Sequence, residues 1–341
     1  MNELSERPIL VTGGAGYIGS HTVRLLAAQG RKIVVLDNLV FGHAAAIVDP
    51  SVELVIGDVG DRELLRSLFQ THRFGAVVHF AAYAYVGESV SDPLKYYSNN
   101  TAEPIELLRV MRDFDCKVFV FSSTCATYGI PDKLPITEDT PQRPINPYGR
   151  SKLMVEWILK DCSHAWGLRS ACLRYFNASG SSADAQIGED HDPETHLIPR
   201  VLMAVLGEIP HIEVFGTDYD TPDGTCIRDY IHVEDLADAH AKALDYLAGG
   251  AESICCNLGT GVGVSVKEII SAVEEVTGRP VPVSYGPRRE GDPDSLVADP
   301  SLAKKLLGWE AQHRDVRDMV RPAWAWISGP NHGRYPANRA D

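Results

Sequence analysis

The first third of the chain repeats one pattern: a short unbroken apolar run, then a longer stretch in which apolar residues recur with helical spacing. The runs are Pro8-Ile9-Leu10-Val11-Thr12, Lys32 to Leu36, Val52 to Ile56, Ala76 to Ala81 and Lys117 to Ser122; the helical stretches are Ser20 to Ala28, Asp61 to His72 and Thr101 to Phe114. Apolar runs this short, with no polar alternation, read as strands buried on both faces. Strands alternating with helices predict an α/β fold built on a doubly wound parallel sheet. Further on, Asn146 supplies a helix cap and Pro147 a first position for a helix over Tyr148 to Lys160. Ser265 and Glu268 form a capping box for a helix that stops at Gly278, ahead of Pro280.

A chain of 341 residues exceeds one core, which predicts a large domain and a smaller, interleaved α/β partner. The larger is expected from 1–177 plus 229–263, the smaller from 178–228 plus 264–328. Residues 329–341, rich in Asn, Arg and Pro, read as a disordered tail. The net charge of -14 with no basic run argues against nucleic acid or an anionic membrane as partner. The seven cysteines are scattered, with Cys255 and Cys256 adjacent and no Cys-x-x-Cys pair, so neither a disulfide framework nor a metal site is expected. A reducing cytoplasm fits that usage. Met1 to Arg7 is polar and no apolar stretch approaches about 20 residues, so neither export nor a membrane span is expected.

Between the first run and its helix lies Gly13-Gly14-Ala15-Gly16-Tyr17-Ile18-Gly19. Gly13 suits a tight turn, Gly16 lets backbone approach a pyrophosphate, and Gly19 lets the helix pack closely with its N-terminus toward the phosphates. The second run ends in Asp37, placed to accept bonds from an adenosine ribose, though it could also simply end a strand. Asn38 and Leu39 follow instead of an arginine, which selects NAD over NADP. Asp58, with Val59 beside it, can face the adenine; Phe80 and Ala81 end the fourth run near the cofactor's middle. Asn99 reads equally as a cofactor contact or a helix cap.

Tyr148 and Lys152 stand four apart, on one helix face. Alone such a pair could be a solvated surface pair. With the glycine turn upstream and Ser123-Thr124 between, it points to hydride chemistry at a carbinol carbon. A phenol titrating near about 10 needs an adjacent cation to act as a base near neutrality, and Lys152 can be that cation.

Together with Val86-Gly87-Glu88-Ser89, Leu173-Arg174-Tyr175-Phe176-Asn177, Asp223-Gly224-Thr225, Arg228-Asp229-Tyr230-Ile231-His232-Val233 and Arg288-Arg289-Glu290-Gly291-Asp292, these motifs resemble the extended short-chain dehydrogenase/reductases that act on nucleotide sugars. The similarity runs from about Pro8 to Trp326. It implies a Rossmann-type sheet, NAD as cofactor, a UDP-sugar substrate and a homodimer pairing the helices of Asn99 to Arg112 and Tyr148 to Lys160. Tyr148, Lys152 and Thr124 would be catalytic. The cofactor would meet Gly13, Gly16, Tyr17, Ile18, Asp37, Asn38, Asp58, Val59, Phe80, Ala81, Asn99, Ser122, Tyr148, Lys152 and Tyr175. On the substrate side, Arg228 and Arg289 would grip the pyrophosphate, and Asn177 a phosphate or the sugar. Leu197 would line the nucleoside pocket, Val214 and Phe215 would cover the uracil, Asp292 would bind the uridine ribose, and Leu296 would set the pocket's width. Phe215 could equally be core.

Similar dehydratases carry an Asp-Glu pair, and decarboxylases a Glu, where this chain has Cys125-Ala126. Without a carboxyl there to assist loss of water or carbon dioxide, the resemblance implies inversion at C4 of a UDP-hexose such as UDP-galactose or UDP-glucose, through a transient 4-keto sugar. UDP-pentoses and UDP-N-acetylhexosamines stay open, Leu296 being intermediate in size. Ala84 stands where such enzymes carry a lysine near the cofactor phosphates, which leaves NAD held either less tightly or by other contacts.

Overall fold

A computed structural model describes residues 7–289 and 291–338. Each of the five early apolar runs becomes a strand: β1 (Ile9–Thr12), β2 (Ile33–Asp37), β3 (Glu53–Ile56), β4 (Ala76–His79) and β5 (Val118–Thr124); β6 (Arg169–Tyr175) follows the helix Pro147–Trp166. Then come β7 (Asn177–Ser179), β8 (Ile212–Phe215), β9 (Ile227–His232), β10 (Ile254–Leu258), β11 (Gly263–Ser265), β12 (Val283–Gly286) and β13 (Ser295–Leu296). The helices are α1 (Tyr17–Ala28), α2 (Arg62–His72), α3 (Val86–Ser91), α4 (Pro93–Tyr97), α5 (Glu103–Asp113), α6 (Pro147–Trp166), α7 (Leu197–Leu206), α8 (Val233–Ala248), α9 (Val266–Thr277), α10 (Ser301–Leu307) and α11 (Val316–Ile327).

Seven strands form one all-parallel sheet in the order β10-β6-β5-β4-β1-β2-β3. Because successive side chains point to opposite faces, β1 sends Ile9 and Val11 into the core under α1 and α8, and Leu10 into the core under α2, α5 and α6. Burial on both faces is why β1, β2 and β4 show no alternation, whereas Ile56 on the edge strand β3 is exposed. Strand order reverses between β1 and β4, and their carboxyl ends open the crevice where α/β sheets bind ligands.

A second core gathers α7, α9 and α11 over β8 and β9. Its sheet joins β11, β9, β13 and β7. The Asp229 carboxylate ties this sheet to the following loops, accepting from the amides of Thr260, Gly261 and Ala298. After β9 the chain returns to the large sheet through α8 and β10; Ala303 of α10 and Trp309 also pack into that core.

The tail expected to be disordered is ordered through residue 338. Tyr335 stacks on His43 and accepts from the Gly188 amide at 2.9 Å, while Asn338 accepts from the Ala44 amide at 2.9 Å. A half-buried aromatic and an amide offering both donor and acceptor outweigh the polar composition. Residues 339–341 lie outside the described residues. Asn99 is not a helix cap: it sits inside one helical run from Pro93 to Asp113, in a π turn over Ser98–Ala102.

Candidate active site

The glycine turn is packed as tightly as its sequence suggests. Gly13 has φ of +69°, and a Cβ there would lie 2.4 Å from the Ala81 amide nitrogen; one at Gly19 would lie 2.2 Å from the Gly13 carbonyl oxygen. Only glycine lets β1's turn touch β4's end while α1 seats on the turn. Gly16 caps α1 in extended backbone, so the helix N-terminus faces the crevice. Tyr17 reaches away from the turn and donates to the Gly180 carbonyl at 2.6 Å, and Ile18 packs on the core. These closely packed glycines and the open helix N-terminus fit a dinucleotide pyrophosphate.

Asp37 ends β2, as predicted, with its two oxygens already accepting from the amides of Ala15 and Leu39, each at 2.9 Å. The carboxylate therefore clamps the glycine turn as well as facing the adenosine side; burial pushes its pKa up and those amides oppose the shift. Asn38 donates to Asp58 at 3.2 Å, and Asp58 accepts from the Gly60 amide at 2.7 Å. Val59 turns its side chain into the core. Phe80 and Ala81 both donate their amides to the Thr12 carbonyl at β4's end. Asn99 accepts from the Tyr83 amide at 3.1 Å and donates to Glu103 at 2.9 Å. Glu103 was not anticipated: burial, then Asp58, pushes its carboxyl up to about 7.

At the carboxyl ends of β5 and β6 stand Ser122, Thr124, Tyr148, Lys152 and Tyr175. The Asn146 side chain accepts from the Gly149 amide at 2.8 Å and starts α6 with Pro147 in its first turn. A Cβ on Gly149 would lie 2.5 Å from the Ala126 carbonyl, so glycine between Tyr148 and Lys152 lets α6 press on the loop after β5. Lys152 donates to the Ser122 carbonyl at 3.0 Å, and Ser122 and Tyr175 bond through their hydroxyls at 2.7 Å. Tyr148 and Lys152 are 8% and 3% exposed, which rules out a solvated surface pair.

The expected lowering of the Tyr148 pKa by Lys152 is not what this geometry gives. Burial, then Tyr175, pushes the phenol well above its ordinary value, and the Thr124 hydroxyl opposes. Burial pushes the Lys152 ammonium down to about 7, and its nearest bond is to β5 rather than to the phenol. Desolvation sets both shifts.

Ser123 does not join Thr124. Strand alternation sends its hydroxyl to Glu156 at 2.6 Å, and Glu156 pairs with Arg174 at 2.6 Å, both side chains almost fully buried. Arg174 also donates to the Tyr128 hydroxyl at 2.9 Å. This network, unforeseen in the sequence, bolts α6 to β5 and β6 one turn beyond Lys152. The signal was there: Glu156 continues the four-residue spacing of Tyr148 and Lys152.

The other substrate candidates come from the smaller core's strands, helix α7 and the loop after β12. Arg228 pairs with Asp292, and Leu296 lies opposite Arg228 across β13 and β9. Leu296 shares a small apolar cluster with Cys125, Tyr128 and Phe176, which joins this group to the end of β5. The Arg289 guanidinium stacks over Phe215 at 4.2 Å, so Phe215 is a partner of that arginine, whereas Val214 is buried. Leu197 opens α7 against the second core, and Asn177 opens β7 beside Tyr230. Ala84 is exposed.

A family model described as the NAD dependent epimerase/dehydratase family matches residues 9–259. A UDP-glucose 4-epimerase of Halalkalibacterium halodurans is 50% identical, over 97% of this chain and 98% of that one. The solved UDP-glucose 4-epimerase of Brucella ovis in complex with NAD superposes with a TM-score of 0.91 at 51% identity, covering 93% of this chain and 97% of that chain. That of Bifidobacterium longum in complex with NAD+ and UDP superposes with a TM-score of 0.89 at 40% identity, covering 96% and 100%.

Proposed function

The chain belongs to the NAD dependent epimerase/dehydratase family, and from that premise we propose how its residues invert the C4 centre of a UDP-hexose. Its activity is NAD-dependent C4 epimerisation, the interconversion of UDP-galactose and UDP-glucose. The observation that favours inversion over elimination is the end of β5. Thr124 runs into Cys125 and Ala126, neither of which carries a carboxyl to protonate a departing hydroxide, and Glu156 behind the strand is committed to Arg174 and Ser123.

NAD when bound takes up hydride from C4 and gives it back. The glycine turn, Asp37 and Phe80-Ala81 would hold it, with Lys152 toward the nicotinamide ribose. Tyr148 removes the 4-hydroxyl proton and later returns it, and Thr124 holds the 4-oxygen while the sugar is a 4-ketose. Arg228 and Arg289 keep the pyrophosphate fixed while the keto sugar turns about its link to UDP. Turning would present both faces of C4 for return of the hydride that NAD would supply when bound. Burial pushes the Tyr148 phenol up, and the Thr124 hydroxyl is the neighbour that favours its ionised form.

Two further readings accompany this one. A homodimer through α5 and α6 is supported by exposed apolar side chains on and around α6: Trp157 at 57%, and Val90 and Leu94 on α3 and α4, which pack against it. A cytoplasmic setting is supported by seven free cysteines. No helix of the described residues is long and apolar enough to cross a membrane.

The test incubates purified protein, with no cofactor added, separately with UDP-galactose, UDP-N-acetylgalactosamine and UDP-arabinose, and follows C4 configuration by proton NMR. Appearance of UDP-glucose is the expected result, and the other two sugars report how Leu296 limits the pocket. No conversion even with NAD supplied, or release of water or carbon dioxide, contradicts the reading.

A further inference from the structure

The segment between β7 and α7 carries the spacing Glu-x-His-x-x-Glu-x-His at Glu189, His191, Glu194 and His196, none of which takes part in the chemistry at C4. Each residue offers one ligand atom, and the four atoms lie within 4.8 Å of one another. His196 Nδ1 is 2.7 Å from Glu189 Oε1 and 2.9 Å from Glu194 Oε1. His191 Nδ1 is 3.1 Å from Glu189 Oε1 and 3.8 Å from Glu194 Oε2. A tetrahedral zinc ion, with bonds of about 2.0–2.2 Å to nitrogen and oxygen, holds its ligands roughly 3.3 Å apart, within that spread. We propose that these four side chains form a binding site for one divalent transition-metal ion of the zinc type, which fixes the loop entering α7 against the glycine turn.

Charge favours the same occupant. Both carboxylates are buried, with side chains only 5% and 7% exposed, so the site calls for two positive charges. One dication with two neutral imidazoles supplies the same charge and satisfies four ligands at one centre. Two nitrogens with two oxygens suit zinc, cobalt, nickel or iron rather than the all-oxygen preference of calcium or magnesium. His196 is the side chain most open to solvent, at 40%, and leaves a route for entry.

The surroundings are built to hold the geometry. Trp326 donates to the Glu189 carbonyl at 2.9 Å, and Tyr335 bonds both the amide and the carbonyl of Gly188. The His191 ring meets Tyr17 edge-on at 6.2 Å, linking the cluster to the first turn of α1. Tyr85 also meets that ring, at 6.1 Å.

The test reads metal, so its failure would leave C4 inversion untouched. Elemental mass spectrometry counts metal in the purified holoenzyme, and chelator-treated protein is titrated with Co2+, whose visible absorption reports tetrahedral coordination. One Co2+ per chain, displaced by Zn2+, is expected. His191→Gln and Glu194→Gln should each weaken Co2+ binding by at least the ~10–100-fold that loss of even an outer partner costs. His313→Gln, in the other histidine-containing cluster with His232 and Glu234, should leave it unchanged. If the cluster variants fail to fold, anomalous scattering from wild-type crystals soaked in Co2+ locates the ion directly. A folded wild type without the Co2+ spectrum, binding indifferent to His191 and Glu194, or an ion located elsewhere overturns the proposal.

Discussion

At Tyr148 two demands conflict: the phenol must be desolvated to meet a sugar hydroxyl, and desolvation makes it a poorer base. The residue is buried and its pKa raised, with Thr124 as the one neighbour seen to favour ionisation. Tyr148→Phe should therefore lower kcat by about 10²–10⁴-fold, the range for one general acid-base group, while NAD content and melting temperature stay near wild type. A large loss of bound NAD would instead assign Tyr148 to cofactor binding alone. Leu296 makes a second residue-level test. It shares its cluster with Tyr128 and Phe176 beside Cys125, and Leu296→Ala should raise kcat/KM for UDP-N-acetylglucosamine relative to UDP-glucose by about tenfold or more. An unchanged ratio would remove it as the determinant of pocket width. Residues fixed by local backbone need were legible in the sequence: Gly13 and Gly19 admit no Cβ, and Tyr148 and Lys152 share a helix face. Ser123 and Phe215 were not, because their roles depend on which way a strand turns them and what lies across the gap.

Secondary elements were read well where one boundary signal dominates, as with the Asn146 cap and the Ser265 capping box, both present as expected. They were misread where packing decides. The helix placed from Thr101 is the end of a run from Pro93 interrupted by a π turn, and that turn holds Asn99 against Glu103. Glu103 then offers a pH test. Its folded pKa, about 7, lies above its ordinary 4.5. Between those values the folded state binds more protons than the unfolded, so this group's contribution, full at low pH, is lost as pH rises through about 7. Glu103→Gln should flatten that decline and melt higher relative to wild type at pH 8 than at pH 4; parallel curves would refute the assignment. Behind β5, Glu156→Ala leaves Arg174 buried and unpaired, at an expected cost of about 3–5 kcal/mol by denaturant unfolding. Glu156→Leu combined with Arg174→Met should recover most of it, since the loss comes from a stranded charge.

For the molecule as a whole, a parallel, doubly wound sheet was legible in five apolar runs, because burial on both faces erases alternation, whereas the strand order was not. The return of α8 and β10 to that sheet falls within 229–263, the stretch assigned to the large domain, whereas the anchoring of Tyr335 and Asn338 involves partners far away in sequence and left no local trace. The exposed apolar surface around α6 carries the assembly prediction: Trp157→Glu should convert a dimer to a monomer by light scattering, and an unchanged mass would place any interface elsewhere. The central claim is that the hydrogen removed from C4 is the one returned. It is tested most directly with UDP-galactose deuterated at C4, incubated in ordinary water and followed by NMR. UDP-glucose that keeps its deuterium at C4 is the predicted result; conversion with washout into solvent, or no conversion with NAD present, would contradict it.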